Sequence, residues 1–81
     1  MKTTIVVEFR GSLAWTPFES KIKRLFGRNL DGSGFSFLTG KRDISATYKN
    51  KAALQRKIEE IKALGKQQRA KVKIHLYEDE D

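Results

Sequence analysis

The sequence predicts an α+β domain in which two helices pack on one face of a four-stranded antiparallel sheet. Three observations predict it. Apolar residues alternate with polar ones in two stretches near the chain ends, "TTIVVEFR" (3–10) and "KVKIHLY" (71–77), the period-2 signature of half-buried strands. Two other stretches carry apolar residues at three- and four-residue intervals, as amphipathic helices do. Between those helices lies a segment of hairpin character. The order is therefore strand, helix, strand, strand, helix, strand.

In the first strand Ile5, Val7 and Phe9 take one face, and Thr4, Val6, Glu8 and Arg10 the other. "GSLAW" (11–15) leads to the first helix, where Thr16 suits the N-cap, Pro17 the first helical position and Glu19 the far side of a capping box. Phe18, Ile22, Leu25 and Phe26 form its apolar face, and Gly27 ends it. "RNLDGSG" (28–34) reads as a loop of turn formers. The hairpin follows, with Thr39-Gly40 as its turn. A two-residue loop pairs Phe37 with Arg42 and Phe35 with Ile44, and directly paired residues share a face. Phe35 and Phe37 then join Ile44, Ala46 and Tyr48, and the core is their expected place. The opposite arrangement would bury the Asp43 carboxylate, at a cost of several kcal/mol. Asn50 suits the cap of a second helix over 51–64, with Leu54, Ile58, Ile61 and Leu64 along one side and Gly65 as its stop. In the last strand Val72, Ile74 and Leu76 alternate with Lys71, Lys73, His75 and Tyr77. This succession is that of the ferredoxin-like split βαβ plan, whose usual strand order is 4-1-3-2. Residues 1–77 form the domain. Glu78, Asp79, Glu80 and Asp81 form an acidic tail, free to fold back over a basic face.

A chain of 81 residues makes one domain with a thin core. It contains no cysteine, which excludes disulfides, thiolate zinc sites and cysteine nucleophiles. No apolar run approaches the roughly 20 residues that span a bilayer, and the apolar stretch of "MKTTIVVEFRG" is too short for a signal peptide. A cytoplasmic protein without a membrane partner is expected. The net charge is +7, and residues 1–77 alone hold 17 basic and 6 acidic side chains. Residues 41–73 hold eleven basic and three acidic ones. Such a surface attracts polyanions and releases their counterions on contact.

With the core positions removed, the helix-free face is expected to show Thr4, Val6, Glu8, Arg10, Ser36, Leu38, Asp43, Ser45, Thr47, Lys71, Lys73, His75 and Tyr77. Cations interleaved with flat rings suit single-stranded nucleic acid, RNA above all, because lysines meet phosphates while His75 and Tyr77 stack on bases. The expected contacts are Arg10, Lys71, Lys73, His75 and Tyr77, flanked by Lys41 and Arg42 just after the hairpin turn. Lysines also keep edge strands from pairing with other chains. The second helix adds Lys51, Arg56, Lys57 and Lys62, with Arg56 and Glu60 as i,i+4 partners. A second class of function fits the same size and charge: a small viral inhibitor or adaptor, of the phage anti-defence or host-takeover type. It would bind an acidic surface on a protein component of a nucleic-acid machine, with Trp15, Val6 and Leu38 as anchors. An exposed sheet face also suits a homodimer.

Two family resemblances bear on function. "SGFSFLTG" (33–40) resembles the octamer of the RNA-recognition motif, Lys/Arg-Gly-Phe/Tyr-Gly/Ala-Phe-Val-x-Phe/Tyr. Gly34, Phe35, Ser36, Phe37 and Leu38 follow it, while Ser33 replaces the basic residue and Gly40 the last aromatic. The resemblance implies rings that stack on bases. That family carries the octamer on its third strand, whereas here it falls on the second, and the expected register turns both rings to the core. No base-stacking role is therefore assigned to Phe35 or Phe37. "FRGSLAW" (9–15) occupies the place of the phosphate loop in acylphosphatase-type enzymes and offers Arg10 and Gly11. It lacks that family's glycine-spaced loop and following arginine. One histidine makes no multi-histidine metal site, no serine has an evident catalytic partner, and no Gly-x-x-x-x-Gly-Lys loop is present. The expectation is a binding module rather than an enzyme, with no catalytic residue, cofactor or metal.

Overall fold

The computed structural model describes residues 2–10 and 17–79. Strands β1 (Lys2–Arg10), β2 (Leu30–Ser36), β3 (Lys41–Tyr48) and β4 (Lys73–Asp79) form one sheet, with helices α1 (Pro17–Phe26) and α2 (Lys51–Gln67) in the connections. The sheet order is β2-β3-β1-β4, and every neighbouring pair is antiparallel. This is the expected ferredoxin-like order, read from the opposite edge.

Alternation along the strands decides the layers. Thr3, Ile5, Val7 and Phe9 are buried beneath the helices, while Thr4, Val6 and Glu8 are half-buried on the other face. Ile44, Ala46 and Tyr48 of β3 join the first set, and Phe18, Ile22 and Phe26 of α1 and Leu54, Ile58 and Ile61 of α2 close over it. Phe9 meets Phe18 edge to face, with centroids 5.1 Å apart, a favoured geometry for paired rings.

Gly27, at φ 54°, ends α1 as its position in the sequence suggests. The Asn50 side chain accepts from the backbone N–H of Ala52 and Ala53 at 2.8 and 3.2 Å and starts α2. The end of α2 differs from expectation. Gly65 lies inside the helix and is buried, because the returning chain crosses it closely: a Cβ there would sit 3.1 Å from Val72 Cγ2. The helix stops at Arg69, which adopts φ 54°. Arg69 N–H donates to Lys66 O at 3.2 Å, and Ala70 N–H to Gly65 O at 2.8 Å, the two bonds of a Schellman motif. The expectations for residues 11–16, the Thr16 cap and the Trp15 anchor among them, lie outside the described residues.

The hairpin corrects a second expectation. Ser36 pairs with Lys41 and Phe35 with Arg42, so the loop holds Phe37, Leu38, Thr39 and Gly40 rather than two residues. Gly40 N–H donates to Ser36 O at 2.8 Å and closes it. The longer loop moves the register by two residues, which preserves the face but shifts each side chain toward the tip. Phe35 stays on the helix side at the margin of the core, 41% exposed, and Phe37 leaves the ladder, 92% exposed. Neither ring is core. The freed residues of the presumed loop, from Leu30 onward, form β2, with a register irregularity between Leu30 and Gly32. Leu76 lies on the helix side of edge strand β4 but is 50% exposed. Glu78 and Asp79, read from the sequence as tail, pair with Thr3 and Lys2 as the end of β4.

Candidate nucleic-acid interface

The helix-free face is built as rows across the strands. Arg10 pairs with Lys41, and Glu8 lies between Asp43 and Lys73. Next come Val6 between Ser45 and His75, and Thr4 between Thr47 and Tyr77. Same-face residues recur every second position, so the rows are about 6.5–7 Å apart.

The row of Arg10 and Lys41 marks a cationic end. Arg10, Lys41, Lys71 and Lys73, with Glu8 and Phe9, line one shallow cavity of about 180 Å³. Three separate chain segments supply these cations: the end of β1, the start of β3 and the approach to β4. Glu8 is the one carboxylate in the lining, and Lys41 Nζ lies 3.4 Å from its Oε1. Among the described residues, Arg10, Lys71 and Lys73 take part in no ion pair. The sequence-predicted set of Arg10, Lys41, Lys71 and Lys73 is thus brought together.

Arg42 is not. Its neighbour Lys41 faces outward, but Arg42 points to the helix side and donates from Nη1 to Glu19 Oε1 at 3.1 Å. Glu19 also holds Lys23 at 3.1 Å, so this carboxylate ties α1 to β3. The Arg42 guanidinium lies 5.8 Å from the centroid of the Phe35 ring, within cation–π range. The expected pair of flanking cations is therefore split between the two faces.

Farther along β4, His75 is half-buried, with its Nε2 buried and without a hydrogen-bond partner among the described residues. Tyr77 is 57% exposed. The far end of the face is polar and internally bonded. Thr47 Oγ1 donates to the Asp31 carboxylate, so in the 3.2 Å contact between the Thr4 and Thr47 hydroxyls, Thr4 is the donor. Asn29 Nδ2 donates to Thr47 O at 2.8 Å. A wider concavity, about 650 Å³, lies at this end and includes Lys2, Lys49, Asn50 and Asp31. Two lysines and one carboxylate line it, against four cations and one carboxylate at the other end.

Of the expected anchors for a protein partner, Val6 and Leu38 are among the described residues and lie on different elements. Val6 is half-buried in mid-sheet, and Leu38 stands in the hairpin loop, 99% exposed. On α2, Glu60 takes Lys57 at 3.1 Å, not Arg56. The feature missed by sequence reasoning is the aromatic tip of Phe35 and Phe37. A loop of four ending in glycine was the available signal, because Gly40 takes φ 69° as the last loop residue. Among the described residues, no cluster of three or more His, Asp or Glu is placed to hold a metal ion. No helix among them is long and apolar enough to cross a membrane.

No protein-family model and no curated protein matches this chain. Solved structures do share its fold. The de novo designed protein Foldit4 superposes with a TM-score of 0.70 at 10% identity, covering 99% of this chain and 100% of that one. A variant of SnoaB, a cofactor-independent oxygenase from Streptomyces nogalater, gives 0.64 at 11% identity, covering 99% and 94%. At such identities the likeness is one of fold alone.

Proposed function

We propose that this chain is a small cytoplasmic binding module, without chemistry of its own, that holds single-stranded nucleic acid on its helix-free face, RNA above all. The observation that carries the reading is the convergence of Arg10, Lys41, Lys71 and Lys73 on one cavity with a single carboxylate. Phosphate is the group that such a set attracts, and each contact gains from counterion release. His75 and Tyr77 continue the surface along β4 with rings suited to bases.

The test is a fluorescence-anisotropy titration with labelled single-stranded RNA, single-stranded DNA and duplex, at two salt concentrations. RNA is expected to bind most tightly. Lys71→Ala combined with Lys73→Ala should weaken binding to every sequence. It should also reduce the slope of log affinity against log salt by about 1.4, from two contacts at about 0.7 each. An unchanged slope would remove these lysines from the site. Flat curves with all three polymers at low salt would end the reading.

One observation favours a second reading. Leu38 is 99% exposed, as an anchor for a protein would be. Under that reading the chain is a small inhibitor or adaptor of the viral type, docked on an acidic protein surface. All three labelled polymers then give flat curves.

A further inference from the structure

The sheet has two edges, and they differ. β2 carries one charged residue, Asp31, whose carboxylate accepts from Thr47, and its register is irregular between Leu30 and Gly32. β4 pairs with β1 without interruption over all seven of its residues, KIHLYED. Among the described residues, no strand lies against its other side. That side presents a row of backbone N–H and C=O groups open to a further strand.

The charged residues of β4 run in a fixed order. Lys73 begins the strand, and Glu78 and Asp79 end it. A lysine on an edge deters a second strand when the newcomer places a cation opposite it. An antiparallel copy of β4 does the reverse. Laid about a twofold axis through Leu76, the two strands pair over their whole length. Lys73 of one copy then stands opposite Asp79 of the other, and His75 opposite Tyr77. Both ends of the seam are complementary at once, as the symmetry of such a contact requires. β4 holds one lysine and two acidic residues within a chain of net charge +7. The strand itself therefore lacks the cationic surplus that drives two copies apart.

The helix side agrees with this register. Ile74, Leu76 and Glu78 pair with Val7, Ile5 and Thr3 of β1 and share their face. An axis normal to the sheet keeps the helices of both copies on that same side. Leu76 is 50% exposed there, and at the axis it meets its own counterpart. Glu78 of the second copy comes opposite Ile74, at the rim of a recess of about 280 Å³ that Lys62 and Lys66 also line. Among the described residues, these two lysines take part in no ion pair. An arriving carboxylate finds both unused.

We infer that two copies of this chain join edge to edge through β4, antiparallel about Leu76, so that two four-stranded sheets become one. The seam is an edge and not a face, which leaves the helix-free surface of each copy open. The inference is independent of the nucleic-acid reading above.

Sedimentation equilibrium of the full chain, without any nucleic acid, tests it at about 0.15 M salt, where the screening length is about 8 Å. One strand pair is a small seam for a specific interface. The mass should therefore rise from 9.3 kDa toward twice that value only across the micromolar range. Lys73→Glu alone sets acid against acid across the seam, and Asp79→Lys alone sets cation against cation. Each change should weaken self-association about tenfold. An equal mixture of the two variants should restore it, because every opposed pair is then of opposite charge. Circular dichroism spectra that match the wild type confirm that each variant folds, and recovery in the mixture is beyond the reach of a misfolded chain. A wild-type mass of one chain at every concentration would overturn the inference. A dimer that both single changes leave intact, or a mixture that fails to recover, would also overturn it by placing the contact elsewhere. None of these outcomes bears on the phosphate contacts, which the salt slope of Lys71→Ala with Lys73→Ala reads separately.

Discussion

Tyr48 closes the core where β3 ends, 6% exposed, with its ring tilted against Phe26 at 6.3 Å. Its hydroxyl is buried and has no hydrogen-bond partner among the described residues. Burial, and secondarily the Glu60 carboxylate, push the phenol above its usual range. The folded state therefore prefers the neutral form, whereas the unfolded chain ionises near about 10. Stability from this group is full below about pH 10 and is lost as pH rises through the higher folded value. Urea midpoints should fall above about pH 10, and Tyr48→Phe should flatten that fall. At neutral pH the variant should lose no more than about 1 kcal/mol, because the deleted hydroxyl leaves no broken bond behind. A fall that persists unchanged in Tyr48→Phe would assign it to other groups. The side on which Tyr48 lies was legible from its alternation with Ile44 and Ala46. Its missing partner was not, because that depends on how α1 and α2 meet above it.

At the scale of elements, alternation carried most of the information. The inward set of β1 and the outward set of β4 follow from period-2 patterns, and with them the cavity cations Arg10 and Lys73, whereas the strand order came with the ferredoxin-like plan that the succession of elements suggests. The ends of elements were less legible, and two of the errors involve glycine. Gly40 marked the turn correctly but left the loop length open, since Phe35-Ser36-Phe37 alternates whether or not its last residue belongs to the strand. Gly65 looked like a helix stop, yet it is a packing site beneath Val72. The position that glycine would relieve is Arg69, where an L-residue at φ 54° ends α2. The left-handed conformation costs roughly 1–2 kcal/mol for a residue with a Cβ, and glycine escapes that cost while losing some unfolded-state entropy. Arg69→Gly should therefore stabilise the fold by about 0.5–1 kcal/mol, read as a higher urea midpoint at unchanged slope. A lower midpoint would mean that the Arg69 side chain contributes more than its backbone strain removes.

The whole molecule separates its charges along the sheet. β4 starts at Lys73 beside the cationic cavity and ends with Glu78 and Asp79 paired to the first residues of β1. Six strand steps put Lys73 and Asp79 about 20 Å apart, so Glu78 and Asp79 do not fold back over the cavity. The net charge is nonetheless +7. The molecule measures 35 × 27 × 19 Å, and at about 0.01 M salt the screening length is about 30 Å. Almost every charge then acts on every other. Attraction comes chiefly from the ion pairs of Glu8, Glu19 and Glu60 with neighbouring cations. These pairs are partly exposed, and such pairs contribute at most about 1 kcal/mol each. Self-repulsion should therefore outweigh them, and salt should stabilise the fold. Raising salt from about 0.01 M to about 0.15 M shortens the screening length to about 8 Å and should raise the urea midpoint. A falling midpoint would show that the ion pairs dominate and that the surplus cations are too widely spaced to repel. Over the same salt series the affinity for a labelled single strand should fall, because the cations that repel one another in the free chain are those that phosphate would neutralise. Opposite slopes for stability and binding are the expected signature of one charge distribution acting in both.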